Sequence, residues 1–187
     1  LLASVDQPIN TLAIVDNSAG EAEVQKLLSR LERDGHPLVQ QVRVARPFGN
    51  QGVAASWNQI LTSFPECPWA LIVNHDVVFA PGVLAQVLAA VDSNQPQWLP
   101  LLPGSSAYSA FVLTALAWDR VGLFDDSFYP AYWEDTDYRD RLDADPEVQQ
   151  LDQGPWLEAM AAANPAGSAT LEADPARWLK PISAVLR

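Results

Sequence analysis

An acidic triplet opens YWEDTDYRDRL, residues 132–142: Glu134, Asp135 and Asp137 stand behind the rings of Tyr132 and Trp133 and ahead of Arg139 and Arg141. A carboxylate held beside a substrate hydroxyl can take its proton as that oxygen attacks. The same triplet has a structural use. In the first turn of a helix beginning near Asp135, carboxylates cap free N–H groups and meet the positive end of the dipole. Asp135 with Arg139 and Asp137 with Arg141 then form i,i+4 pairs. Both uses are compatible with one stretch.

A second group closes the apolar run WALIV (69–73), which leads straight into Asn74, His75 and Asp76. A divalent cation that bridges phosphates needs only one or two protein carboxylates, and Asp76 fits that role. The structural alternative is a strand-end turn satisfied by Asn74 and Asp76. His75, pointing the other way along the chain, reads as structural. A third group, Asp16 and Asn17, ends the run TLAIVD. Asp16 can accept from the N–H or O–H donors of a nucleobase or ribose, or it can close an Asx turn over DNSAG. In RPFGNQG, Gly49 and Gly52 either bring backbone N–H groups to an anion or supply turn conformations. Phe128, Tyr129, Tyr132, Trp133 and Tyr138 can stack on a sugar face or pack in a core. Trp57 and Trp69 lie in apolar periodicity and belong to the core. Neither G-x-G-x-x-G behind the first strand nor G-x-x-x-x-G-K-[ST] is present, so dinucleotide and P-loop chemistry lack support.

The elements that position these groups follow from apolar spacing. Strands are expected at 11–16, 38–45, 69–73, 97–102 and 107–113. Val24, Leu27, Leu28 and Leu31 mark a helix that Gly35 ends, and 53–64 and 83–91 mark two more. A short helix, an aromatic loop and the acidic helix follow, and the tail has helices at 155–163 and 175–185. Strands alternating with helices predict an α/β fold with a largely parallel sheet covered on both faces. Ligands bind such sheets beyond the carboxyl ends of the strands, where the Asp16 and Asp76 groups should meet.

With 187 residues, 49% hydrophobic and 18% charged, the chain is long enough for one domain with a dry core. A net charge of −12 with scattered Lys and Arg argues against nucleic acid as a partner. The lone Cys67, without zinc-site spacing around it, reads as an inert buried thiol in a reducing compartment. No apolar run is long enough to span a bilayer, and the expectation is a soluble, cytoplasmic protein.

Taken in order, LAIVDNSAG, RPFGNQGVAASWN, ALIVNHDVVFAPGVL and SAFVLTALAWDRVGLFDDSFYPAYWEDTDYRDRL resemble the inverting family 2 glycosyltransferases, above all the bacterial rhamnosyltransferase-like branch. The resemblance covers roughly residues 10–142. Its most specific part is Gly122, Phe124, Asp125, Asp126 and Phe128, then Glu134, Asp135, Asp137, Tyr138 and Arg141. It implies a GT-A (Rossmann-like) three-layer sandwich with a mostly parallel central sheet. That is a single domain over 1–187, with a helical tail over 143–187.

It also implies an inverting transfer from a nucleotide-diphosphate sugar, a dTDP- or UDP-sugar, to a glycan or lipid-linked acceptor in surface polysaccharide synthesis. By resemblance Asp135 is the catalytic base, with Glu134 its close rival. Asp16, Asn17, Asn50, Gly52, Asn58 and Asn74 surround the nucleotide, and Asp76 holds Mg2+ or Mn2+. Tyr132 and Trp133 receive the acceptor, through which the protein would associate with the inner face of a membrane.

The family's first strand would lie before Leu1, its first metal-motif position is Asn74 here, and its late histidine has no counterpart in NPAGSATL (164–171). These departures motivate a second expectation, a non-catalytic domain that binds sugar nucleotide or glycan. A third, a metal-dependent phosphohydrolase with Asp16 as nucleophile, lacks the D-x-D its chemistry would place after the first strand.

Overall fold

The computed structural model describes residues 1–129, 131–154 and 156–165. Six strands and six α-helices lie along them. They are β1 (Ile9–Val15), α1 (Ala22–Asp34), β2 (Val39–Ala45), α2 (Val53–Ser63), β3 (Trp69–Val73), α3 (Val83–Ala90), β4 (Gln97–Pro100), β5 (Ala110–Thr114), α4 (Ala115–Val121), α5 (Glu134–Ala144), β6 (Gln149–Gln150) and α6 (Trp156–Ala163). Apolar spacing at 3.6 residues and Gly35, left-handed at φ 68° with its N–H on Leu31, make and end α1 as its sequence requires. The expected tail helix at 175–185 lies outside the described residues.

The α/β architecture stands, but the single, mostly parallel sheet does not. β1 and β2 form a parallel pair of their own, while a second sheet runs in the order β3-β5-β4-β6, with β5 antiparallel to both its neighbours and β4 parallel to β6. The reason lies between β4 and β5. Only a short link holding a 3-10 turn (Gly104–Ser109) joins them, and a parallel crossover needs a dozen residues or more. That turn also takes over residues 107–109, which had read as the start of the fifth strand. β3 and β4 are parallel to each other through α3, with β5 lying between them.

The second sheet divides its side chains by the period of two. Phe111, Leu113, Trp98 and Ile72 face a cluster completed by Trp57 and Leu61 of α2, Ala117 of α4 and Tyr138 and Leu142 of α5. Val112, Ala110 and Leu99 face the opposite cluster, with Val83, Leu84 and Val87 of α3 and Trp156 and Met160 of α6. Helices therefore cover both faces. Every residue of β4 and β5 is buried, as a sheet covered on both sides demands.

The β1–β2 pair is different. Despite the apolar run in β1, none of its strand residues is fully buried, and the same holds for β2. A cavity of about 340 Å³ opens between the pair and α2, lined by Ala13, Ile14, Val44, Ile60 and Phe64 among others. No carboxylate lines it. Among the described residues no helix is long and apolar enough to cross a membrane. Cys67 is only partly buried, in a turn after α2, and corrects the expectation of a buried thiol.

Candidate functional site

The carboxyl end of β1 delivers Asp16, buried at 6% exposure. Its Oδ1 accepts the Ser18 N–H at 2.9 Å, closing the Asx turn that DNSAG foreshadowed, and its Oδ2 accepts from the side chain of Gln25. Burial alone would raise its pKa. The Ser18 and Gln25 donors and the nearby Arg46 charge outweigh that and hold the carboxyl below the ordinary Asp value.

Asn17 reaches across to the loop before α2. Its Nδ2 donates to Ser56 Oγ at 2.8 Å and to Gly52 C=O at 3.4 Å, and its Oδ1 accepts the Gln51 N–H at 3.3 Å. Asn50 Oδ1 accepts the Gly52 N–H at 2.8 Å, and Gly52 takes a φ of 86° that favours glycine. The N–H groups of Gln51 and Gly52, which the sequence offered to an anion, are thus held by two asparagines.

Asn58, expected beside the nucleotide, uses its side chain on the protein's own backbone. Its carboxamide makes a two-way clamp on the backbone of Phe124, donating to the C=O at 2.8 Å and accepting the N–H at 2.9 Å. This ties α2 to the segment that leads into α5. Two more side chains fix that segment. Tyr138 stacks on Phe124 with ring centres 3.8 Å apart and donates its hydroxyl to Gly122 C=O at 3.1 Å. Arg141 donates to the carbonyls of Val121 (2.7 Å) and Leu123 (2.9 Å), with its guanidinium above the Tyr138 ring.

The three carboxylates in the first turn of α5 are separated by this packing. Asp137 pairs with Arg141 at 2.7 Å, as the i,i+4 spacing predicts. The matching Asp135–Arg139 pair does not form: Arg139 leans toward Asp143 at 3.8 Å instead. Asp135, half-buried, accepts the Thr136 N–H on Oδ1 at 2.7 Å, and no described residue donates to its Oδ2. Glu134, with which the helix begins, is only 5% exposed, and its Oε2 has no hydrogen-bond partner among the described residues. Burial, reinforced by the Asp135 charge and opposed by the N–H groups of Glu134 and Tyr132, pushes its carboxyl up to about 7.

Just before α5, Tyr132 and Trp133 both adopt left-handed backbone, φ 80° and 76°. For bulky residues this costs on the order of 1–3 kcal/mol each, and it turns both rings toward solvent, 49% and 68% exposed. Tyr129, also exposed, donates its hydroxyl to Asn50 C=O at 3.1 Å and joins the aromatic segment to the loop before α2.

At the end of β3, the Asn74 N–H donates to Ser109 C=O at 2.8 Å. The residue before Ser109, Tyr108, is buried, and that burial, with smaller contributions from Tyr138 and the Asp135 charge, raises its pKa. His75 is exposed in the turn. Among the described residues no three His, Cys, Asp or Glu side chains gather as a metal site. Asn74 and Asp76 offer one carboxamide and one carboxylate, a donor set that fits Mg2+ or Mn2+ when a diphosphate brings most of the remaining oxygens.

Sequence reasoning missed three participants. Phe48 stands fully in solvent within the RPFGNQG loop. Ser56, buried in α2, receives Asn17. Asn164 follows α6 and clamps Val78, accepting its N–H at 2.9 Å and donating to its C=O at 2.8 Å, two residues beyond Asp76. An asparagine at a helix end is the signal that could have marked the last, whereas nothing in the spacing announces its distant partner. No family model matches the chain, and no curated protein matches it.

Proposed function

We propose that this chain transfers a sugar, with inversion, from a nucleotide-diphosphate donor to a hydroxyl of a glycan or lipid-linked acceptor, on a GT-A-type fold. The observation that carries the reading is the divided carboxylate pair at the start of α5. Asp135 keeps an oxygen that no described residue donates to, beside a buried Glu134 and behind two exposed rings. Pairs of titratable groups in contrasting environments mark acid–base sites.

In this reading Asp135 takes the proton of the acceptor hydroxyl as its oxygen attacks the anomeric carbon, and the nucleoside diphosphate departs from the opposite face. Tyr132 and Trp133 lay the acceptor sugar against their rings. Asp137, locked to Arg141, holds the helix that carries the base. Asn17, Asn50 and Gly52 shape the wall beside the nucleoside, with Asp16 at its floor. Asn74 and Asp76 would hold Mg2+ or Mn2+, which when bound supplies positive charge for the departing diphosphate. A dTDP- or UDP-sugar is the proposed donor, and work on a lipid-linked acceptor would place the protein at the cytoplasmic face of a membrane.

A second reading has its own support. Asp16, held by Ser18 and Gln25, and the loop N–H groups of Gln51 and Gly52, held by Asn17 and Asn50, already have partners inside the protein, as in a domain that binds sugar nucleotide or glycan without turnover. Thermal shifts against UDP, dTDP, GDP and CMP, with and without Mn2+, test the donor site. A ligand at about 100 times its dissociation constant adds roughly 2.7 kcal/mol. A base-selective, metal-dependent rise supports both readings, and steady product formation then separates transferase from binder. No rise with any nucleotide overturns the donor site.

A further inference from the structure

Four exposed aromatic side chains lie on two loops that touch. Phe48 belongs to the loop before α2, and Tyr129, Tyr132 and Trp133 to the segment before α5. The Tyr129 hydroxyl on Asn50 C=O brings the loops together two residues from Phe48. A phenylalanine with its whole side chain in solvent has no packing role in this fold, and single exposed hydrophobics are ordinary, whereas this one shares two joined loops with three more exposed rings. Left-handed backbone at Tyr132 and Trp133 adds that two of these rings are held outward at a cost in energy.

We propose that this rim is an extended carbohydrate subsite, so that the acceptor is a neutral oligosaccharide chain several sugars long, with Trp133 and Tyr132 on the sugar that reacts and Phe48 on a more distant one. The inference rests on the transferase reading for which end of the rim is reactive, though not for what the rim binds. A ring face is electron-rich and the C–H face of a pyranose is weakly positive, so the two stack without any charge on the ligand. Charge argues for the same partner. A chain of net −12 repels anionic lipid surfaces and polyanions, and the nearest cation on the loop, Arg46, is paired with Glu32. Neutral sugars are the ligands that this combination of rings and field accepts.

The test uses the full chain and a panel of neutral linear oligosaccharides (rhamnose-, glucose-, mannose- and galactose-based), each from one sugar to about six, with titration calorimetry as readout. Zwitterionic and anionic lipid vesicles form a parallel arm. In at least one series, affinity should rise with length, each stacked ring contributing about threefold to tenfold. F48A should erase the gain for long chains and leave short ones unchanged, while W133A should weaken every length. Circular dichroism of both variants keeps a folding failure from passing as a result. The proposal is overturned if no series shows length dependence, if F48A acts equally on all lengths, or if the protein prefers vesicles. Length-dependent glycan binding without nucleotide binding would keep the rim and sink the transferase. Nucleotide binding without length dependence would do the reverse.

Discussion

The two sheets of this molecule are built to different standards of packing. β4 and β5 are buried at every residue, and their two faces meet separate apolar clusters. β1 and β2 leave every strand residue partly exposed or fully so, beside an open cavity, and are stitched to their surroundings by polar side chains: Asp16, Asn17, Gln25 and Arg46. The difference falls along the line between the two halves of the proposed site. The proposed base stands on α5, with the rings just before it, and Tyr138 and Leu142 of that helix are part of the dry core. The nucleotide side stands on the wet pair. A rigid base and an adaptable donor wall are a workable division, since chemistry demands placement within fractions of an ångström while donor binding tolerates ordering on contact.

Deleting core contacts on each side should expose this contrast. F111A in β5 should cost about 3–5 kcal/mol in urea denaturation, whereas I14A in β1, half-exposed already, should cost about 1–2. Equal losses would break the comparison. Native-state hydrogen exchange sharpens it: β5 amides should exchange only through global unfolding, and β1 amides through cheaper local opening.

Glu134 comes next. Its carboxyl stays protonated in the folded protein up to about pH 7, against 4.5 as the ordinary value, so the folded state binds the extra proton between those limits. Stability from this group is therefore full below about pH 4.5, falls as pH rises through about 7, and levels off above, by on the order of 3 kcal/mol. The lowered pKa of Asp16 acts in a separate window, below its ordinary value of 3.8. Chemical denaturation from pH 5 to 8 should show the fall in the parent and a flat line in E134Q.

N58A removes two hydrogen bonds that hold Phe124 and should cost about 2 kcal/mol, with the α5 start loosened and the stacked Tyr138 more mobile by aromatic NMR. The smallest effect is expected at N17A, about 1 kcal/mol in thermal denaturation, with any loss of function confined to donor affinity. A larger stability loss at Asn17 than at Asn58 would reverse the ranking of the two halves.

Most elements were legible in the chain because apolar periodicity and turn residues are local signals. α1 with its Gly35 stop, β3 and the Asx turn at Asp16 all follow from neighbours in sequence. The sheet arrangement was not legible, since alternating strands and helices suggest parallel pairing and only the brevity of the β4–β5 link forbids it. Likewise the i,i+4 rule offered Asp135 and Asp137 equal partners, and tertiary contacts decided between them. Arg141 is fixed by the carbonyls of Val121 and Leu123 and so meets Asp137, while Arg139 has no such anchor and leans to Asp143. Which of two adjacent acids is buried, Glu134 or Asp135, depends on helix rotation against the core, and spacing alone does not carry it.

The most direct test of the account is transfer itself, followed by anomeric proton NMR of the product, for the parent and for D135N with a nucleotide-sugar panel and the oligosaccharides above. The account predicts a product of inverted configuration and a fall of about 10²- to 10⁴-fold in rate for D135N, with nucleotide-induced thermal shifts unchanged. A product of retained configuration, or a D135N variant as fast as its parent, would contradict it.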